Sequence, residues 1–237
     1  MKTFSKLFPV LVLFAGFGSC KKIIGEGPVI KEDRTIGNFS SLASSISADV
    51  YYQQDPVYKL EVTAQQNILN VLETHIVGNE LVIKFRNDTR VKSHEPITVL
   101  VSSPTIDRFR LSGSGNIIAS DSINTAKMSL VISGSGSIKL QSLVANSLNA
   151  AISGSGDISV LNGTLHAQQL AISGSGDIDT GNVPAYSVTT ATSGSGKISL
   201  NASHDLDVSI SGSGSVFYKG NPEITTRISG SGKIVPL

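Results

Sequence analysis

Two aspartates in equivalent positions of neighbouring repeats are the residues whose spacing could support chemistry. Asp157 and Asp177 each follow a Ser-Gly-Ser-Gly block, and Asp179 stands two residues after the second of them. If the repeats stack, the first two carboxylates face solvent about 5 Å apart, which could suit a Ca²⁺ ion or the acid pair of a glycosidase. The same position in the other five repeats holds Asn, Ser or Lys. The pattern therefore favours a solvated surface over a metal site or a catalytic pair, and leaves open whether Asp157 and Asp177 bind a cation.

The other reactive side chains are spread along the chain without a recognisable site. None of the four histidines has a partner at metal-ligand spacing, which favours a surface position for each; they are His75, His94, His166 and His204. The sequence Gly-Ser-Gly recurs many times, whereas the serine nucleophile elbow of hydrolases occurs once, on a strand-to-helix turn. We therefore predict that the protein is not an enzyme, with no catalytic residue, no metal and no cofactor.

Cys20, the only cysteine, ends an N-terminal segment that has the order of a secretory signal. Two lysines, an apolar run over residues 7–17 and two small residues precede it. This order resembles a bacterial lipobox, which implies a signal peptide over 1–19, a diacylated Cys20 and a tether over 20–28. Lys21 stands where the familiar sorting scheme places an Asp for inner-membrane retention, so the resemblance implies the outer membrane. The alternative is an ordinary signal peptide with an incidental cysteine.

A repeated Ser-Gly-Ser-Gly block dominates the second half of the chain, at intervals of 18 to 21 residues. The blocks begin at Ser112, Ser133, Ser153, Ser173, Ser193, Ser211 and Ser229. Mostly aliphatic residues recur one and three positions before each block and two positions after it, so in an extended chain they point to one side. Glycine within a strand marks a bend or a close approach of backbone. We interpret Gly-Ser-Gly as a corner with no room for a side chain inside.

These features predict an all-β fold whose residues 112–237 form a parallel β-solenoid with coils of about 20 residues. Each coil would carry two or three short strands, and the stack would be a rod about 30 Å long. The alternative is an antiparallel meander with one strand per repeat. Hairpin signals between the blocks are rare, since Asn162-Gly163 is the only Asn-Gly among them, and this favours stacked coils.

Residues 29–111 are also rich in β patterns but lack the repeat. Apolar residues alternate within the segments 46–52, 60–64, 81–85 and 97–101. An array with exposed edges needs a terminal cap, so this irregular part is predicted to begin the solenoid and shield its first coil. Whether it forms one domain with residues 112–237 is left open by the sequence.

The charge balance excludes one class of partner. The net charge is +1, and charged residues make up only 16% of the chain. No basic run with interleaved aromatic residues is present, so nucleic acid is not expected as a partner.

Three features together resemble the head GIN domain family over about residues 35–220. They are the N-terminal lipobox, the strand at Asp49-Val50 with the later strand start at Asn79-Glu80-Leu81, and the repeated Ile-Ser-Gly-Ser-Gly-Asp/Asn-Ile units. The resemblance implies an all-β, solenoid-like fold at the cell envelope and the adhesin function that the family's name carries, with no active-site residue to transfer.

We therefore expect a non-enzymatic lipoprotein of the outer membrane that acts as an adhesin or protein-interaction module. Its lipid would bind the membrane, and its rigid β surface would bind an unidentified protein or glycan. The alternative is a carbohydrate-binding or polysaccharide-acting envelope protein. Exposed aromatics are scarce, since aromatic residues make up only 5% of the chain, and this ranks the alternative second.

Overall fold

The computed structural model describes residues 21–237, which fold into an almost entirely β structure. Within that range, one helix of four residues is present, and no helix has the length and apolar character needed to cross a membrane. The elements are β1 (Lys21–Ile23), β2 (Val29–Asp33), β3 (Ser41–Ser44), β4 (Asp49–Gln54), β5 (Lys59–Gln65), α1 (Gln66–Leu69), β6 (Leu72–Val77), β7 (Glu80–Phe85), β8 (Thr89–Val91), β9 (Thr98–Ser103), β10 (Arg108–Gly113), β11 (Asn116–Gly134), β12 (Ser137–Gly154), β13 (Asp157–Val160), β14 (Gly163–Gly174), β15 (Asp177–Gly194), β16 (Lys197–Gly212), β17 (Ser215–Lys219), β18 (Glu223–Gly230) and β19 (Lys233–Pro236).

The seven Ser-Gly-Ser-Gly blocks stack on one another in parallel. Ser112 of β10 pairs with Ser133 of β11, and the equivalent residues pair in register through β12, β14, β15, β16 and β18. The corners delimit about six turns of a parallel solenoid. The predicted β-solenoid is thereby confirmed, and the antiparallel meander is wrong because neighbouring repeats run in the same direction.

The glycines of each block allow successive corners to approach one another closely. The first glycine of every block has a φ between +119° and +139°, a conformation that L side chains rarely adopt. The second glycine has no such φ, but a Cβ on Gly176 would lie 2.1 Å from the carbonyl oxygen of Gly156 in the coil before it. The interpretation of Gly-Ser-Gly as a corner without room for an inner side chain is therefore correct.

Each coil divides into three segments that bury every second side chain. In the coil over residues 137–154, the buried apolar side chains are Ile138, Leu140, Leu143, Leu148, Ala150 and Ile152. Consecutive exposed or half-buried residues at 141–142 and 144–147 interrupt the alternation and mark the other two corners. We call the outer sides of 137–140, 142–145 and 147–154, with their equivalents in other coils, the first face, the second face and the long face.

The part before the repeats joins the same sheet. β3 pairs in parallel with β10 and β4 with β11, so residues 45–48 occupy the corner position that Ser112 to Gly115 occupies one coil later. On the other side, β3 pairs with β7 and β4 with β9, again in parallel. Antiparallel strands then end the stack, because β6 pairs with β7, β5 with β9 and β2 with β5.

Candidate ligand-binding face

The long face carries three columns of outward side chains in register along the rod. The column nearest the second face contains Lys127, Ser147, Ala167 and Ser187; the middle column contains Arg108, Ser129, Asn149, Gln169 and Thr189; the outer column contains Val131, Ala151, Ala171 and Ala191. The corner serines run beside the outer column. Because the strands are parallel and unshifted here, each column presents side chains once per coil, about 4.8 Å apart.

A groove of about 840 Å³ follows the first two of these columns. Its lining is dominated by hydroxyl and amide groups, with Asn149 and Gln169 exposed at its centre. Its volume lies within the range of small-molecule sites. The groove therefore offers a polar, concave surface on an otherwise regular rod.

The charges of the long face are separated along the rod. Arg108 and Lys127 lie at the end nearer β3, and within residues 21–237 neither forms a salt bridge. Asp205 and Asp207 continue the first two columns at the other end, where Asp207 pairs with Arg227 at 3.1 Å. The stretch between these ends is neutral.

A second, apolar groove of about 470 Å³ runs beside the first. It follows the outer column, from Val131 to Ala191, and the neighbouring corner serines, among them Ser153 and Ser173. The alanines keep this stripe low and smooth. The long face thus combines a polar groove with an apolar one.

His166, Tyr186 and His204 form a stack of three rings on consecutive coils at the edge of the long face. The ring centroids are 5.4 Å apart for His166 and Tyr186 and 4.4 Å apart for Tyr186 and His204. The rings lie within 17° of parallel, and Tyr186 is still 44% exposed. Tyr186 immediately precedes Ser187, so the stack borders the polar groove.

The spacing of metal ligands does not predict this stack. Its three members are 20 and 18 residues apart, which are the intervals that separate the Ser-Gly-Ser-Gly blocks of the same coils. Aligning the repeats and comparing their variable positions would have found it. The sequence feature that predicts the stack is this interval of one coil between the three residues, and no motif of adjacent residues is involved.

A sequence profile described as "Putative auto-transporter adhesin, head GIN domain" matches residues 38–222 of this chain. The chain belongs to the head GIN domain family. The match covers both the irregular part and most of the repeats, as the resemblance in the sequence predicted. No curated protein is similar enough to match.

Solved structures share the solenoid of this head GIN chain. A putative adhesin from Bacteroides fragilis is 26% identical, with a TM-score of 0.86 over 91% of this chain and 100% of that one. A putative lipid binding protein from Parabacteroides distasonis is 27% identical, with a TM-score of 0.77 over 92% of this chain and 100% of that one. A putative adhesin from Parabacteroides merdae, at 20% identity and a TM-score of 0.75 over 91% of this chain and 99% of that one, shows the same fold.

The aspartates that the sequence singled out lie on the first face of the head GIN chain, away from the polar groove. Asp157 and Asp177 pair in register, and Asp177 is followed in the column by Lys197, whose backbone N–H donates to the Asp177 carboxylate at 3.0 Å. Within residues 21–237, no group of three or more His, Cys, Asp or Glu side chains is arranged to hold a metal ion.

The remaining predicted residues are not brought together. His75 lies on β6, and His94 lies in a loop where its Nδ1 is 2.6 Å from the carbonyl oxygen of Glu95. Cys20, the predicted lipidation site, and the predicted signal peptide over 1–19 lie outside the described residues.

An ion pair on the long face and a buried phenol beneath the first face lie at the start of the stack. Arg110 donates to the Glu80 carboxylate, and this bond holds the pKa of Glu80 below its usual value while raising the pKa of Arg110. Inside the coil, burial raises the pKa of Tyr52 to about 12, and its hydroxyl lies 3.0 Å from that of Ser103. The Tyr52 hydroxyl therefore stays protonated and serves the packing of the first coils.

Proposed function

We propose that this head GIN protein is an adhesion module that a lipid on Cys20 anchors to the bacterial outer membrane, with its long face as the contact surface. The observation that supports the proposal best is the polar groove, whose side chains stay in register over consecutive coils. A stacked solenoid fixes the positions of these side chains before a partner arrives, which lowers the entropic cost of binding.

The proposed role is non-enzymatic because the groove lacks the pair of carboxylates that canonical glycan cleavage uses. Hydroxyls and amides dominate its lining, and Asp107 is the one carboxylate among the lining residues. Asp157 and Asp177, which could have formed an acid pair, are on the first face. A canonical glycoside hydrolase would need two carboxylates on either side of the same glycosidic bond.

Adhesion is tested by display of the full chain on cells that otherwise do not attach to a mucin-coated surface. The double variant Asn149→Arg with Gln169→Arg fills the groove with two long cations, so we expect attachment to fall to the level of cells without the protein. The matched control, Ser159→Arg with Ser199→Arg, places the same charges on the first face and is expected to attach normally. Equal attachment by both variants would remove the long face from the proposal.

The lipid anchor is tested separately. A Cys20→Ser protein cannot be acylated, and we expect it to leave the membrane fraction, because a soluble β domain without acyl chains has no other anchor in this proposal. The control Ser40→Ala, in the body of the protein, should stay in the outer-membrane fraction of a density gradient. Retention of the Cys20→Ser protein in that fraction would contradict the anchor.

A second candidate function is the binding of a lipid acyl chain. The apolar groove along Val131 to Ala191 favours it, and one structural relative is described as a putative lipid binding protein. The variant Ala171→Lys, which places a charge in that groove, should then abolish binding of fluorescent palmitate by the full-length protein. If the unmodified protein does not bind palmitate, this candidate is eliminated.

A further inference from the structure

We propose that the polar groove of the long face binds a linear, neutral glycan that lies along the axis of the rod. This inference rests on the proposed adhesion function and specifies the class of ligand for the same surface. The inference is based on four properties of the groove: amide side chains without hydrogen-bond partners, a regular repeat, a small apolar side chain among its lining residues, and no charged residue at its centre.

The hydrogen-bonding groups of the groove are free to meet a ligand. The side chains of Asn149 and Gln169 are exposed, and neither forms a side-chain hydrogen bond within residues 21–237. Each amide both donates and accepts, as does each hydroxyl of Ser129 and Thr189. Sugar hydroxyls have the same dual character, so this lining is chemically matched to them.

The first face shows that free side chains are not a necessary result of stacking. There, Asn116 donates to Asp49 at 2.6 Å and Ser137 donates to Asn116 at 2.6 Å, so the polar column satisfies itself. The corresponding groups in the groove of the long face are left for solvent or a ligand.

The groove repeats with the period of the solenoid. Its middle column runs from Arg108 to Thr189 through four steps, or about 19 Å at the spacing of stacked strands. A ligand that uses this length must present similar groups at a regular interval. A linear polysaccharide does so, because each sugar ring repeats the same hydroxyls along an extended chain.

The floor of the groove suits a sugar ring. Among the outward side chains that line it, Ala167 interrupts the serines of the column nearest the second face and lies between Ser147 and Ser187. A pyranose ring has an apolar C–H face and polar hydroxyl edges. The methyl group of Ala167 beneath it and the amides or hydroxyls beside it would satisfy both parts.

The charge and composition of the groove exclude other polymers. A nucleic acid would need several phosphate contacts, but the two cations, Arg108 and Lys127, are confined to one end. A protein partner usually buries aromatic or long side chains in well-packed, desolvated pockets, whereas hydroxyl and amide groups dominate this groove. An acyl chain would leave Asn149 and Gln169 without partners.

The test measures binding of neutral tetrasaccharides to the mature lipidated protein in detergent by calorimetry. The probes are chitotetraose, cellotetraose, xylotetraose and mannotetraose, each with its disaccharide. We expect at least one tetrasaccharide to bind, and more tightly than its disaccharide, because the longer chain contacts more coils. Asn149→Ala with Gln169→Ala should weaken that binding about tenfold or more, since it removes two ligand hydrogen bonds.

The control is Lys139→Ala with Ser159→Ala on the first face, which should bind like the unmodified protein. Absence of binding by all four tetrasaccharides, binding independent of chain length, or binding unchanged by the Asn149 and Gln169 variant would each overturn the inference. Binding of palmitate alone would assign the long face to lipid instead. If cells still attach through the long face while no glycan binds, only the ligand class is wrong. If a glycan binds while cell attachment does not depend on the long face, the adhesion proposal is wrong.

Discussion

Gly174 shows at the residue scale why the corners require glycine. Its φ is +132°, and a Cβ there would lie 2.2 Å from the carbonyl oxygen of Gly154, a backbone atom that cannot move without its coil. We predict that Gly174→Ala lowers the free energy of unfolding by about 2–4 kcal/mol, from backbone strain and the clash together. Urea unfolding measures this. Ser175→Ala, in the same exposed corner, should change the free energy little, and an equal loss in both variants would argue against the clash.

Thr192 is a residue that the stack tolerates at a cost. It lies between Ile172 and Ile210 in a column that is otherwise aliphatic from Leu111 to Ile228, and its buried hydroxyl makes no hydrogen bond within residues 21–237. Valine has nearly the same shape without the polar group. We predict that Thr192→Val raises the free energy of unfolding by about 1 kcal/mol. Thr189→Val, on the surface, should not stabilise the protein, and a lower melting temperature for Thr192→Val would show that its hydroxyl has a partner.

The Glu80–Arg110 pair predicts a pH dependence of stability. Because the bond to Arg110 lowers the pKa of Glu80 in the folded state, its contribution is complete above the usual glutamate value of about 4.3. That contribution is lost as the pH falls through the lowered folded pKa. We therefore expect Glu80→Gln to reduce the difference in unfolding free energy between pH 6 and pH 3. Glu223→Gln serves as the control, and an unchanged difference in Glu80→Gln would refute the assignment.

At the scale of elements, the sequence predicts the strands and corners that repeat in every coil. It does not predict the elements that occur only once. The seven glycine corners and the columns beside them identified coils over 112–237, because every coil places the same residue types in the same environment. The corner at residues 45–48 reads Ser-Ile-Ser-Ala and lacks the glycine pair, so its equivalence to Ser112 to Gly115 emerged only from the pairing of β3 with β10. The antiparallel pairing of β2 with β5 depends on contacts between residues 28 to 36 positions apart.

The candidate site divides in the same way. The serines and glycines of the corners were identified as structural, and they are. The groove could not be read from single residues, because Asn149 and Gln169 differ from ordinary surface amides only in sharing a column with Ser129 and Thr189. Side chains from different coils form one surface only when their strands pair in a particular register. The sequence pattern does not define the ends of these strands, so it does not predict that surface.

At the scale of the whole molecule, each coil contacts mainly its two neighbours, so the stack should tolerate the loss of one complete period. Deletion of residues 137–156 joins Gly136 to Asp157, and the next coil then meets β11 with equivalent residues: Leu130 would stack on Leu170 and Ile132 on Ile172. We predict that this variant still unfolds cooperatively, at a lower melting temperature because one interface is lost.

Deletion of only residues 137–146 is the matched comparison. It places a residue of the long face, Ser147, directly after the corner that ends at Gly136, so the aliphatic positions that follow would meet the wrong segment of β11. This variant should show no cooperative thermal transition by circular dichroism, although it removes fewer residues than the complete coil. If the shorter deletion folded as well as the longer one, stability would not depend on the register of the columns, and a ligand groove built from that register would lose its physical basis.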